Sequence, residues 1–82
     1  MKKTRTEKTK EVLNALLEDE FYDSVENVRT TLEYDLNLLL PWKVKVSEID
    51  VFDKCTFGCV HLKNELNKDE FLHFKITSKS LN

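Results

Sequence analysis

Glycine and proline are nearly missing: the 82 residues hold one of each, Gly58 and Pro41. Turns must therefore be made by Asn, Asp, Lys and Ser. No glycine-rich phosphate loop or dinucleotide fingerprint can be built, and neither G-x-S-x-G nor H-E-x-x-H occurs. Cysteine is scarce as well. Cys55 and Cys59 are the only two, too few for a disulfide scaffold, and both are read as reduced. Long apolar runs are absent: the longest are three residues, as at Leu38–Leu40, where a membrane-spanning helix needs about 20. The opening MKKTRTEKTK has no apolar segment behind its positive charge, so no secretory signal is expected and the expected location is cytoplasmic.

What is present is a globular composition, 40% apolar and 34% charged, with a chain long enough for one core. A single domain over 1–82 is expected, with 1–5 as a basic arm that frays. Charge is segregated. Residues 1–10 carry five basic groups and one acidic, and residues 11–40 carry eight acidic groups and one basic. The net charge of −2 hides this division.

Hydrophobic spacing divides the chain again. Val12, Leu13, Leu16 and Leu17 recur at helical spacing behind Thr4 or Thr6 as N-cap, predicting a helix that ends near Asp19 to Phe21. A second helix is predicted to open at Asp23 or Ser24, with Asp23 and Glu26 at capping-box spacing. Its core stripe is Val25, Val28, Leu32, Leu36, Leu39 and Leu40, and Pro41 ends it. From Trp42 onward the period falls toward two. Val44 and Val46 alternate with lysines, while Ile49 and Val51 follow on the opposite parity, which predicts a β-bulge near Ser47–Glu48. Strands follow over 55–62 and 70–77, joined by a 63–69 loop. Helices before strands with short connections predict an α+β fold: two N-terminal helices packed on one face of a three-stranded antiparallel β-meander. A symmetric loop places Val60 opposite Leu72 and Cys59 opposite His73. Gly58 then leaves room for a helix. The outer sheet face shows Phe57, Cys59, His61, Phe71, His73 and Lys75, with Glu48 and Asp50 joining from the first strand.

Cys55, Cys59, His61 and His73 are zinc-ligand types, but C-x3-C along a strand is not knuckle spacing, so no metal and no other cofactor is expected. Cys59 opposite His73 could form a thiolate–imidazole pair, yet no helix N-terminus or glycine-rich loop stands ready to supply an oxyanion hole. The segment Thr56–Leu62, T-F-G-C-V-H-L, resembles the RNP1 strand of RNA-recognition motifs over seven residues. Here both helices precede every strand, and Cys59 stands where that motif has its second aromatic, so the likeness implies no RNA binding.

The expectation is a non-enzymatic regulator or inhibitor that occupies a protein partner's surface, of the kind a bacterial or bacteriophage system would use against a host or defence protein. Two faces are candidates. One is Tyr34 and Leu38, four residues apart and opposite the core stripe, with Glu26 and Glu33 along one edge. The other is Phe57, His61, Phe71 and His73 on the sheet. A nucleic-acid binder using Lys2, Lys3, Arg5, Lys8 and Lys10 is the alternative from another class, and a homodimer through one of these faces is a third. No membrane insertion is expected.

Overall fold

A computed structural model of the chain describes residues 3–19, 22, 27–52 and 55–77, and of residues 48, 49, 51 and 52 the backbone alone. Helix α1 (Arg5–Glu18) and helix α2 (Val28–Leu39) precede strands β1 (Val44–Phe52), β2 (Cys55–Lys63) and β3 (Asp69–Thr77). The fold is α+β, with one antiparallel meander in the order β1-β2-β3. Leu13 from α1, Leu32 and Leu36 from α2, and Val44, Val46, Val60, Leu62, Phe74 and Ile76 from the sheet form one buried cluster between the helices and one sheet face.

Thr4 starts α1 with a complete capping box: its Oγ1 accepts from the Glu7 N–H at 3.1 Å, and Glu7 Oε1 accepts from the Thr4 N–H at 3.3 Å. Thr4 and Arg5 are thus tied into the fold, and the Arg5 N–H also donates to Glu65 Oε2 at 2.8 Å. Leu13 is buried, while Val12, Leu16 and Leu17 pack half-buried against the core. Thr9 is fully buried although polar. It extends the Leu13 stripe one turn back, donating to the Arg5 carbonyl at 2.7 Å and accepting the Trp42 indole N–H at 2.8 Å. That bond satisfies a half-buried indole and fastens α1 to the segment entering β1.

Helix α2 begins at Val28, later than expected. Asn27 precedes it in the left-handed region (φ 57°) without a side-chain cap, and the Asp23–Glu26 pattern lies outside the described residues. Leu32, Leu36 and Leu40 are buried as expected, but Leu39 is 56% exposed. Leu40, extended at the C-cap, turns inward in its place.

The register of β2 and β3 is the expected one, Val60 opposite Leu72 and Cys59 opposite His73. Between β1 and β2 the pairing runs Glu48↔Gly58 and then Asp50↔Phe57, leaving Ile49 unpaired. This is the bulge that the change of parity required. Asp50 therefore falls in the outer-face row. Glu48 pairs instead with Gly58, directly opposite Phe74 in the core row. The space at Gly58 goes to the Phe74 ring and not to a described helix, and a Cβ there would run into the tip of that ring. The β2–β3 loop closes without glycine. Asn67 takes the left-handed position (φ 59°), and Asn64 Oδ1 accepts the Leu66 and Lys68 N–H groups at 2.9 and 3.0 Å.

Candidate functional site

Three stripes divide the surface of α2. The first is the core stripe, Val28, Leu32, Leu36 and Leu40. The second is polar, Arg29, Glu33 and Asn37, spaced four apart. It lies along the edge of β1. Asn37 Oδ1 accepts the Val44 N–H at 2.9 Å while its Nδ2 donates to the Val44 carbonyl at 3.1 Å. Glu33 Oε2 accepts the Val46 N–H at 2.9 Å. Arg29 sits 3.7 Å from that carboxylate and reaches the Val46 carbonyl at 3.5 Å. The periods match: four helical residues rise about 6 Å, and two strand residues advance about 6.6 Å. Side chains of α2 thereby take the place of a fourth strand and close an edge that would otherwise invite pairing.

This arrangement corrects one sequence expectation. Glu33 is not a free acidic rim for Tyr34 and Leu38, because its carboxylate is committed to Val46 and Arg29. Glu26 lies outside the described residues. Tyr34 and Leu38 themselves face outward, 66% and 68% exposed, and form the third stripe. Leu39 joins them at the end of the helix. On the α1 side, Asp35 accepts the hydroxyl of Tyr22, a buried residue that sequence reasoning did not single out. Burial, and next the bond to Asp35, push the Tyr22 phenol well above its ordinary value.

The outer face of the sheet carries the expected rings, and two of the four stack on each other. His61 stacks on Phe71 with centroids 4.8 Å apart and an interplanar angle of 13°. His61 Nε2 lies 2.9 Å from Asp69 Oδ1, and Lys63 Nζ lies 3.0 Å from the same oxygen. The His61 hydrogen bond, then Lys63, hold the exposed Asp69 carboxyl below the usual range. Lys75 Nζ stands 5.9 Å over the Phe57 ring. Cys59 is buried among these longer neighbours, and burial pushes its thiol up, with the Leu72 N–H opposing the shift. That burial works against the thiolate form that nucleophilic chemistry at Cys59 would need. Cys55 Sγ lies 3.6 Å from Thr77 Oγ1. Among the described residues no group of three or more His, Cys, Asp or Glu is placed to hold a metal ion.

Among the described N-terminal cations, three have a neighbour of their own. Lys3 and Lys8 both approach Glu11, with Lys8 at 4.0 Å, and the Arg5 guanidinium lies 5.7 Å over the Trp42 ring. Lys10 is exposed on α1, and Lys2 lies outside the described residues. No helix among the described residues is long and apolar enough to cross a membrane. In comparisons with known proteins, no family model, no curated protein and no solved structure matches the chain.

Proposed function

We propose that the chain is a non-enzymatic binding protein that regulates or inhibits a protein partner by covering part of its surface, and that the outward stripe of α2 is the surface it offers. The observation behind this reading is the exposure of Tyr34 (66%), Leu38 (68%) and Leu39 (56%) over the last two turns of one helix. The other stripes of that helix are spent on the core and on the β1 edge. Each large apolar side chain withdrawn from water contributes about 1.5–3 kcal/mol, and a tyrosine beside leucines at helical spacing suits an apolar groove on a partner. On the sheet's outer face three of the four rings are weaker candidates, since His61 and Phe71 already stack on each other and Phe57 lies under a lysine.

The test is affinity capture from the native host with two baits, the natural chain and a Tyr34→Ser/Leu38→Ser chain. A protein held by the first bait and lost from the second supports the reading. Equal capture by both removes α2 as the interface. Capture of nucleic acid instead, lost as salt rises, would favour Lys2, Lys3, Arg5, Lys8 and Lys10.

A further inference from the structure

One edge of the sheet is closed by α2; among the described residues the other is left open. Along a strand, successive residues turn their N–H and C=O groups to opposite sides. Val44 and Val46 turn theirs toward α2. Lys45 and Ser47 therefore face β2, opposite His61 and Cys59. Val60 and Leu62 then face β3, where they meet Leu72 and Glu70. The Leu72 N–H beside the Cys59 thiol and the 2.9 Å bond from the Asn64 N–H to the Lys68 carbonyl fit this parity. Phe71, His73 and Lys75 are left with their backbone groups pointing away from the sheet. Among the described residues, no side chain takes the place there that Asn37 and Glu33 take on β1. β3 has nine residues, with no proline, glycine or bulge. Natural sheets rarely leave such an edge unpaired.

We propose that a second copy of the chain pairs with this edge, two β3 strands running antiparallel about a two-fold axis at His73 to give a six-stranded sheet. The strand is self-complementary in that register. Phe71 meets the second copy's Lys75 on the outer face, twice by symmetry, and Leu72 meets its Phe74 on the core face. Asp69 falls opposite Thr77, and Glu70 opposite Ile76, so no two carboxylates or two ammonium groups are opposed. The lysine–aromatic pairing already exists within one chain, where Lys75 lies over Phe57. A symmetric register shifted two residues toward the C-terminus would set Lys75 against itself. The outward stripe of α2 lies on the helix that borders the opposite edge, so this pairing leaves it uncovered and does not depend on the function proposed above.

His73 is the one residue that meets its own copy, and it is exposed, which makes it the test. Light scattering after size exclusion should give twice the 9.7 kDa chain mass, falling to the monomer on dilution. His73→Asp and His73→Lys should each be monomeric, because each sets like charges face to face at the axis. Mixed in equal amounts they should restore a dimer containing one of each. Phe71→Lys, which opposes Lys75 twice, should also be monomeric, and far-UV circular dichroism confirms that each variant is folded. The proposal is overturned by a natural chain that stays monomeric at its highest soluble concentration, which would leave the edge to a strand of another protein. It is equally overturned by variants that dimerise unchanged, or by a mixture that stays monomeric.

Discussion

Replacing Asn37 by alanine removes the amide that closes the β1 edge at Val44. Two hydrogen bonds to Val44 disappear, at 2.9 and 3.1 Å, each worth about 0.5–1.5 kcal/mol net and about 1–3 kcal/mol together; a third, from Asn37 Nδ2 to the Glu33 carbonyl at 2.9 Å, back-bonds to a carbonyl of the helix itself and adds little. The Val44 backbone lies at a sheet edge where water can partly replace Asn37, which favours the lower half of that range. Alanine, the better helix former, returns about 0.6 kcal/mol. A net loss of about 1 kcal/mol remains. With a urea dependence of about 1 kcal/mol per molar for a small domain, the midpoint should fall by about 1 M at unchanged slope. Asn37→Asp should be worse at neutral pH despite its matching shape. It keeps the acceptor for the Val44 N–H but turns a carboxylate oxygen toward the Val44 carbonyl. Urea titrations at one protein concentration measure both variants, and hydrogen exchange at the Val44 amide reports the edge itself. An Asn37→Ala chain as stable as the natural one, with Val44 exchange unchanged, would refute the edge-closing role. So would an Asn37→Asp chain no worse than the alanine variant.

Two further outcomes follow from the packing and the titrating groups. Gly58→Ala should cost about 1–3 kcal/mol by overpacking against the Phe74 ring; adding Phe74→Leu should recover part of that loss, which a double-mutant cycle in urea will show. The Tyr22 phenol is raised in the folded state above its unfolded value of about 10, so its contribution is complete below that pH and is lost as pH rises through and beyond it. Urea midpoints should therefore fall from about pH 10 upward, and Tyr22→Phe should flatten that alkaline limb while lowering stability at neutral pH by leaving Asp35 without the hydroxyl.

Much of the sheet was readable before any coordinates. The parity change between Val46 and Ile49 demanded a bulge, and the symmetric loop placed Val60 against Leu72. The start of α1 was narrowed to Thr4 or Thr6, and Thr4 is the cap. What escaped is instructive in each case. The edge-closing role of Arg29, Glu33 and Asn37 could not be read, because nothing in a helix's own periodicity says that a strand edge of matching repeat lies beside it. Glu33 was accordingly assigned to the partner-binding rim. Thr9 continued the stripe of Leu13 but is polar, and only the Trp42 indole explains its burial. Leu39 had the right spacing for the core, yet the chain turns at Leu40 and leaves it outside. Tyr34 and Leu38 were found by angle alone, since a position opposite a buried stripe is exposed unless another element covers it.

The central claim is that the outward stripe of α2 binds a protein partner. It is tested most directly by titration calorimetry of the captured partner against the natural chain and the Tyr34→Ser/Leu38→Ser chain, at low and high salt. Burial of these side chains predicts an affinity at least about a hundredfold weaker for the variant, a negative heat-capacity change for the natural chain, and little dependence on salt. An affinity that is equal for both chains and falls steeply with salt would contradict the account and shift the interface to the N-terminal cations.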